Sequence, residues 1–317
     1  MKRWAAIAPI SVLVLAVWAA GQQDPSQLPK PAPAQQADDP TRILVEVTRV
    51  NLLFTVTDKK GRFVTDLTKP DFEVIENHRE QTIQDFSAES DLPLRLAVLV
   101  DTSNSIRERF KFEQEAAVEF LRNVVHAKQD KAMVVKFDSV PELETDLIDN
   151  FAALEKSVRD LRPGGGTSMY DAIYYACRDK LAQDQPKYKF RRALVLLSDG
   201  DDNQSRYTRD QALEMAQRAD VVIYAISTNI TRDETEGDKI LKYLTSETGG
   251  QAFFPFKVED LVQSFENIYH ELRHQYIISY RPEPLVTDGQ FHPIDLHVRG
   301  RKELIVHARK GYYAPKM

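Results

Sequence analysis

Two stretches of this 317-residue chain hold groups whose types and spacing could do chemistry. In Asp101-Thr-Ser-Asn-Ser105 a carboxylate is followed by two hydroxyls at alternate positions, Ser103 and Ser105, directly after an apolar run over 96–100. These are hard oxygen donors, the ligand chemistry of Mg²⁺, Mn²⁺ or Ca²⁺. Taken alone, the stretch reads equally as a strand-to-helix turn in which Asp101 or Ser103 caps the next helix. The second stretch, His270-Glu-Leu-Arg-His274, has the H-E-x-x-H spacing of zinc hydrolases. On a helix it would set His270 and His274 on one face as ligands, with Glu271 as general base. A third ligand would have to come from His292, His297 or His307. Against the zinc reading, the apolar stripe Leu261, Phe265, Ile268 and Leu272 already explains this helix as packing, and a strand pattern begins at Tyr276. An aspartyl nucleophile at Asp101 is a further enzymatic option. That chemistry places a second Asp two residues on, where this chain has Ser103.

Other polar groups recur where an element begins or ends. Gly164-Gly165-Gly166-Thr167-Ser168 precedes a helical pattern over 169–181. The three glycines shape a loop that lets the backbone approach closely or take positive φ. No Gly-Lys-Ser/Thr follows, so this is not a P-loop. The Thr167 hydroxyl is either an N-cap or a metal ligand. A second apolar run, 192–197, ends in Ser198-Asp199-Gly200-Asp201-Asp202-Asn203. An EF-hand loop is excluded there, because Gln204 stands where that loop needs glycine and a strand pattern precedes it.

The elements that must position these groups follow from periodicity. From Leu94 onward, buried-strand runs alternate with helical stripes such as Phe112, Ala116, Phe120 and Val124, which predicts an α/β fold with a doubly wound, mostly parallel sheet flanked by helices. In such a sheet ligands bind beyond the carboxyl ends of the strands, which aims Asp101 and Asp199 at one edge. On either side the pattern is strand-like: Val50, Leu52, Phe54 and Val56 alternate with polar residues, and 276–280, 292–298 and 304–313 resume that pattern. Neither set alone makes a comfortable sheet pair, so the expectation is an α/β domain inserted between two halves of a small β-sandwich-like domain. The expected boundaries are a signal over 1–21, a Pro/Gln/Ala-rich linker over 22–41, β halves over 42–90 and 275–317, and the α/β domain over 91–274.

Composition narrows the partners. Hydrophobic residues make 42% and charged residues 28%, as in a soluble globular protein. A net charge of −6 with no basic cluster argues against nucleic acid. Lys2 and Arg3 precede a largely apolar stretch to Ala20 and the small residues Ala19-Ala20-Gly21, which reads as an export signal with periplasmic or secreted destination. Its removal leaves no membrane span in the mature chain; the alternative is retention as a short single-span anchor. The single cysteine, Cys177, precludes an internal disulfide and falls in a predicted helix, where its ordinary role is packing.

Asp101-x-Ser103-x-Ser105 after a buried strand, Thr167 after a glycine-rich loop, and Asp199-Gly200 after a later strand together resemble the metal-ion-dependent adhesion site of a von Willebrand factor type A domain, over residues 92–273. The flanking stretches 56–62, 67–72, 271–276 and Lys310-Gly-Tyr-Tyr313 resemble the bacterial exported "VWFA-related" proteins common in Acidobacteria. The departure from that pattern is Asn104-Ser105-Ile106, where many relatives have Gly-Ser-Met. The resemblance implies a metal held by Ser103 and Ser105 directly, by Thr167 when ligand is bound, and by Asp101 and Asp199 directly or through water. It further implies that the domain binds a protein offering an Asp or Glu carboxylate and does not turn over substrate. Neutral hydroxyls against the cation leave it electrophilic, so that a partner carboxylate can complete the octahedron. Gly200 would let its loop shift with the coordination.

Overall fold

The computed structural model describes residues 49–316, apart from 89–91, 105–109, 126–128, 186–188, 230 and 232. The expected signal and linker, and Ser105 of the metal loop, lie outside the described residues.

The chain opens in strands. β1 (Val50–Thr57) and β2 (Phe72–Glu76) carry alternating apolar residues, and the short β3 (Arg79–Gln81) and β4 (Ile83–Ser87) follow. The α/β part then runs β5 (Leu94–Asp101), α1 (Phe110–Val124), β6 (Lys131–Phe137), β7 (Pro141–Ile148), α2 (Phe151–Asp160) and α3 (Met169–Tyr175). It continues through β8 (Arg191–Ser198), α4 (Arg209–Arg218), β9 (Val221–Ser227), α5 (Glu236–Thr248), β10 (Ala252–Phe253) and α6 (Val258–Arg273). β11 (Tyr276–Tyr280), β12 (Phe291–Val298), β13 (Ile305–Ala308) and β14 (Gly311–Tyr313) return to strand.

The central sheet has the order β10-β9-β8-β5-β6-β7. Every residue of β5 and β8 is buried, because helices cover both faces. The strand period of two divides their apolar runs between those faces. Leu96, Val98 and Val100 pack in one layer with Phe120 and Leu121 of α1 and Phe265 and Ile268 of α6. Ala97 and Leu99 pack in the other with Ile173 of α3, Leu213 of α4 and Leu241 of α5. β7 is the antiparallel edge, and its half-exposed alternation suits an edge strand.

The flanking strands form two four-stranded sheets, β13-β1-β11-β4 and β14-β12-β2-β3. Residues from before and after the α/β part pair directly, β1 with β11 and β2 with β12. Their inner faces share one core, in which Phe54, Phe72 and Tyr276 meet ring to ring.

Three local features depart from the sequence pattern. The helix expected over 169–181 stays α-helical only to Tyr175. It continues as a π turn over Ala176–Lys180 that contains the buried Cys177, then as a 3₁₀ turn over Leu181–Gln183. The strand expected over 304–313 breaks at Arg309 and Lys310, so β13 and β14 belong to different sheets. Gly311 makes this crossing possible: a Cβ there would sit 2.4 Å from the His292 carbonyl oxygen. Phe63 and Val64 resume the sheet only as a single bridge to Thr57 and one hydrogen bond to Val56.

Candidate metal site

β5 is the switch point of the central sheet. The chain leaves it for β6 on one side and later returns to β8 on the other, which opens a crevice at the carboxyl ends of β5 and β8. Asp101 is the last residue of β5 and Ser198 the last of β8. The parallel register brings them side by side, and the Ser198 hydroxyl donates to Asp101 Oδ2 at 2.8 Å. The Ser103 N–H donates to Oδ1 at 2.9 Å. Asp199 follows Ser198 directly, half-buried, and its Oδ1 accepts from the Asp201 N–H at 3.1 Å.

Thr167 reaches the same edge from a different direction. Its carbonyl accepts from the backbone N–H groups of Asn203 and Gln204 at 3.0 Å, and its own N–H donates to Asn203 Oδ1 at 3.1 Å. The loop after β8 therefore holds Thr167 in place. The cap position of α3 belongs to Ser168, so the Thr167 hydroxyl is not spent on capping. The glycine loop is tied to the β5 loop as well: the Gly164 N–H donates to the Thr102 carbonyl at 2.6 Å, and the Asn104 amide to the Gly165 carbonyl at 3.4 Å.

Two of the candidate glycines are conformationally required. Gly165 has φ +86° and a Cβ would meet Asp138 Cβ at 2.9 Å. Gly200 has φ +85° and lies against the first turn of α5, where a Cβ would sit 2.3 Å from the Gly237 carbonyl oxygen. Gly166 packs against Gln204 and Asn203, whereas Gly164 has open space around it and no positive φ, so nothing in the fold demands glycine there.

The electrostatics fit a cation. Asp101 is fully buried, and burial pushes its carboxyl up to about 6, against hydrogen bonds from Ser103 and Ser198. The nearby Asp199 charge acts in the same upward direction. Among the described residues no lysine or arginine pairs with Asp101. A buried carboxylate beside a second one, with no counter-charge, is costly to keep ionised. Asp101 and Asp199 supply carboxylates at this sheet edge, Ser103 supplies a neutral hydroxyl against Asp101, and Thr167, fastened to the loop after β8, carries another; these are donor types for a hard divalent ion. The residues present fit such an ion. Asp202, in contrast, turns inward to cap α3: it accepts from the Tyr170 N–H at 3.0 Å and from the Ser205 hydroxyl at 2.6 Å.

The H-E-x-x-H stretch is arranged differently. His270 is exposed and His274 half-buried, with ring centres 5.9 Å apart. His274 Nδ1 is 2.7 Å from the His270 carbonyl, and its ring stacks on Phe63. Glu271 instead points into the core, 2% exposed, and accepts from Gln251. His292 lies between Glu76 and Asp288, and His307 contacts the Thr57 hydroxyl. Among the described residues no three His, Cys, Asp or Glu side chains converge as a metal site. Packing of Glu271 and Leu272 accounts for the helix.

Two residues of the candidate site escaped the sequence. Ser198 looks like the end of an apolar strand, and only its place as a polar last residue marks it. Gly237 is a glycine inside a helical first turn, a position without a local reason for one.

Residues 96–201 match the von Willebrand factor type A domain family. A comparison with curated proteins found no match. Among solved structures, proximal thread matrix protein 1 from the mussel byssus, in a form with a zinc-occupied MIDAS motif, is 16% identical with a TM-score of 0.51 over 62% of this chain and 50% of its own. The von Willebrand domain of the type V pili tip protein Mfa5 from Porphyromonas gingivalis is 14% identical, TM-score 0.48, covering 57% of this chain and 95% of its own. The PilB minor pilin of Streptococcus sanguinis is 14% identical, TM-score 0.46, covering 58% and 62%. The chain thus spans about half the length of the mussel protein and less than two thirds of the pilin. The crevice between β5 and β8, with its buried acid and hydroxyls, lies inside residues 96–201, the segment of this chain that matches the von Willebrand factor type A domain family.

Proposed function

We propose that this chain is an exported binding protein that captures a partner protein through a divalent cation held by Asp101, Ser103, Ser105, Thr167 and Asp199. The observation that carries the reading is Asp101: a fully buried carboxyl, raised to about 6, with hydroxyl donors around it and no basic partner among the described residues. The cation is Mg²⁺, with Mn²⁺ or Ca²⁺ as substitutes, and it supplies positive charge for a carboxylate arriving from the partner. The chain's own residues do the rest. Asp101 and Asp199 supply negative charge, and the hydroxyls orient the ion without neutralising it. The loops fastened at Thr102–Gly164 and Thr167–Asn203 hold the donors in place. The role is adhesion or protein interaction and not catalysis. The zinc-occupied MIDAS motif of the mussel protein supports a cation site on this fold. The basic and apolar opening of the chain, Lys2 to Ala20, supports export to the periplasm or medium.

The test is capture from an exported proteome by wild type and Asp101→Ala, each with Mg²⁺ and with EDTA. A partner retained by wild type in Mg²⁺ alone is the expected outcome. Equal retention in all four conditions would show that the metal loop is not the binding surface.

A further inference from the structure

The β-sandwich is open along one side. β12 is paired by β2 along Ile294–Val298, but by β14 only along Phe291–Pro293. β13 is the end strand of its sheet and bonds only to β1. Between β12 and β13 lies a cleft of about 500 Å³, the size of a ligand site.

Both walls turn unpaired backbone into it. The Ile294 N–H donates to the Lys310 carbonyl at 2.8 Å, on the side away from β2. Antiparallel ladders alternate with period two, so Leu296 directs its N–H and C=O to that same side, beyond the last residue that β14 covers. On the opposite wall, the Val56 carbonyl accepts from the Val64 N–H at 2.9 Å, which turns Val56 away from β13. Its register partner Val306 is then in a non-bonded pair, with its N–H and C=O facing away from β1. Two free strand edges therefore face one cleft, an arrangement that invites another strand.

The side chains state what kind of strand. The floor is apolar, with Ile294, Leu296 and Val298 buried and Val306 half-buried. The lining carries five basic side chains, Arg299, Arg301, Lys302, Arg309 and Lys310, against two acidic ones, Glu73 and Asp295. Carboxylates already engage the three arginines. Lys302 and Lys310 have no ion-pair partner among the described residues, in a chain whose net charge is −6.

We propose that this cleft binds an extended acidic segment of a partner protein, which adds as a strand between β12 and β13. Main-chain hydrogen bonds at Leu296 and Val306 supply affinity, alternate apolar side chains fill the floor, and carboxylates meet Lys302 and Lys310. The site uses none of the cation residues, so it stands or falls independently of the metal reading.

The test uses the full chain in EDTA with two fluorescent eight-residue peptides, one alternating Glu and Val and the other alternating Lys and Val. The Glu peptide should bind at least tenfold more tightly, and should slow hydrogen exchange at the Leu296 and Val306 amides. Lys302→Glu with Lys310→Glu should weaken binding at least tenfold. Val306→Pro, which deletes the cleft-facing N–H of an edge strand and spares the bonds to β1, should abolish it. Equal affinity for the two peptides, or no protection at Leu296 and Val306, overturns the proposal. So does protection of those amides before peptide is added, which would assign the cleft to a segment of this chain.

Discussion

Glu271 separates the two uses that α6 could have, and Glu271→Gln is the perturbation. The carboxyl is 2% exposed; Gln251 donates to Oε1, while Oε2 is buried without a hydrogen-bond partner. Burial pushes its pKa up to about 8, against hydrogen bonds from Tyr224 and Gln251 that act to lower it. In the unfolded chain the group returns to its ordinary value of 4.5. Between those two values the folded chain holds a proton that the unfolded chain has released. Stability therefore falls as pH rises through this window, by about 1.4 kcal/mol per pH unit, and levels off above the folded pKa. The accumulated loss is on the order of 4 kcal/mol by pH 8, and the contribution is fully present only below pH 4.5.

Glutamine has the shape of the protonated acid and cannot ionise. Urea denaturation of wild type and Glu271→Gln at pH 4.5, 6, 7 and 8 gives the difference directly, because every other titrating group is common to both chains. The two should be within about 1 kcal/mol of each other at pH 4.5, and the variant should be the more stable by several kcal/mol at pH 8. A stability difference that does not change with pH would refute the reasoning. A wild-type chain with stoichiometric zinc and a hydrolytic activity that Glu271→Gln abolishes while leaving the zinc bound would restore the enzyme reading of His270, Glu271 and His274.

Three further outcomes follow from named contacts. Gly200→Ala and Gly300→Ala both place alanine at positive φ, costing about 1 kcal/mol, but only at Gly200 does the new Cβ meet backbone, the Gly237 carbonyl oxygen at 2.3 Å; Gly200→Ala should lose a further ~1–3 kcal/mol in urea titration, and equal losses would remove the argument for that contact. Leu99→Ala, at a fully buried position between α3, α4 and α5, should cost about 2–5 kcal/mol by the same measurement. Cys177 is fully buried and burial pushes its thiol well up, so Ellman's reagent should label it only after urea unfolding; rapid labelling of the native chain would contradict its place in the π turn.

The α/β architecture was legible because its strands are long apolar runs and its helices carry four-residue stripes, both dictated by burial. Asp101 and Asp199 stand out for the same reason, as acids directly after such runs. Ser198 was not legible, since its function depends on which strand lies beside β5, and sequence does not state strand order. The partners of Asp202 and Asn203 are not legible either, because capping rules look one turn ahead, whereas Asp202 caps a helix more than thirty residues upstream. The H-E-x-x-H spacing misdirects for a related reason: spacing fixes which residues share a helix face, but only packing decides which face is buried. The split of β13 from β14 rests on the approach of Gly311 to the His292 backbone, which no local pattern records.

The last row of the central sheet tests the cation reading from within. Register aligns Asp101, Ser198 and Ser227 across β5, β8 and β9. Each serine holds one carboxylate: Ser198 donates to Asp101 and Ser227 to Asp238, both at 2.8 Å. Burial acts to raise both acids, but Asp238 also receives hydrogen bonds from Thr235 and Asn229, and these bring its pKa below the ordinary value. Asp101 has no such surplus and stays raised. Of two buried acids, one is satisfied by the protein and the other lacks positive charge, which supports the proposed cation site at Asp101. Ser227→Ala and Ser198→Ala should each cost about 1–3 kcal/mol in EDTA, from an unsatisfied buried carboxylate. With saturating Mg²⁺ the Ser198→Ala deficit should shrink, because the ion supplies what the hydroxyl supplied, while the Ser227→Ala deficit should stay. Equal recovery of both variants would mean that the ion is not at Asp101.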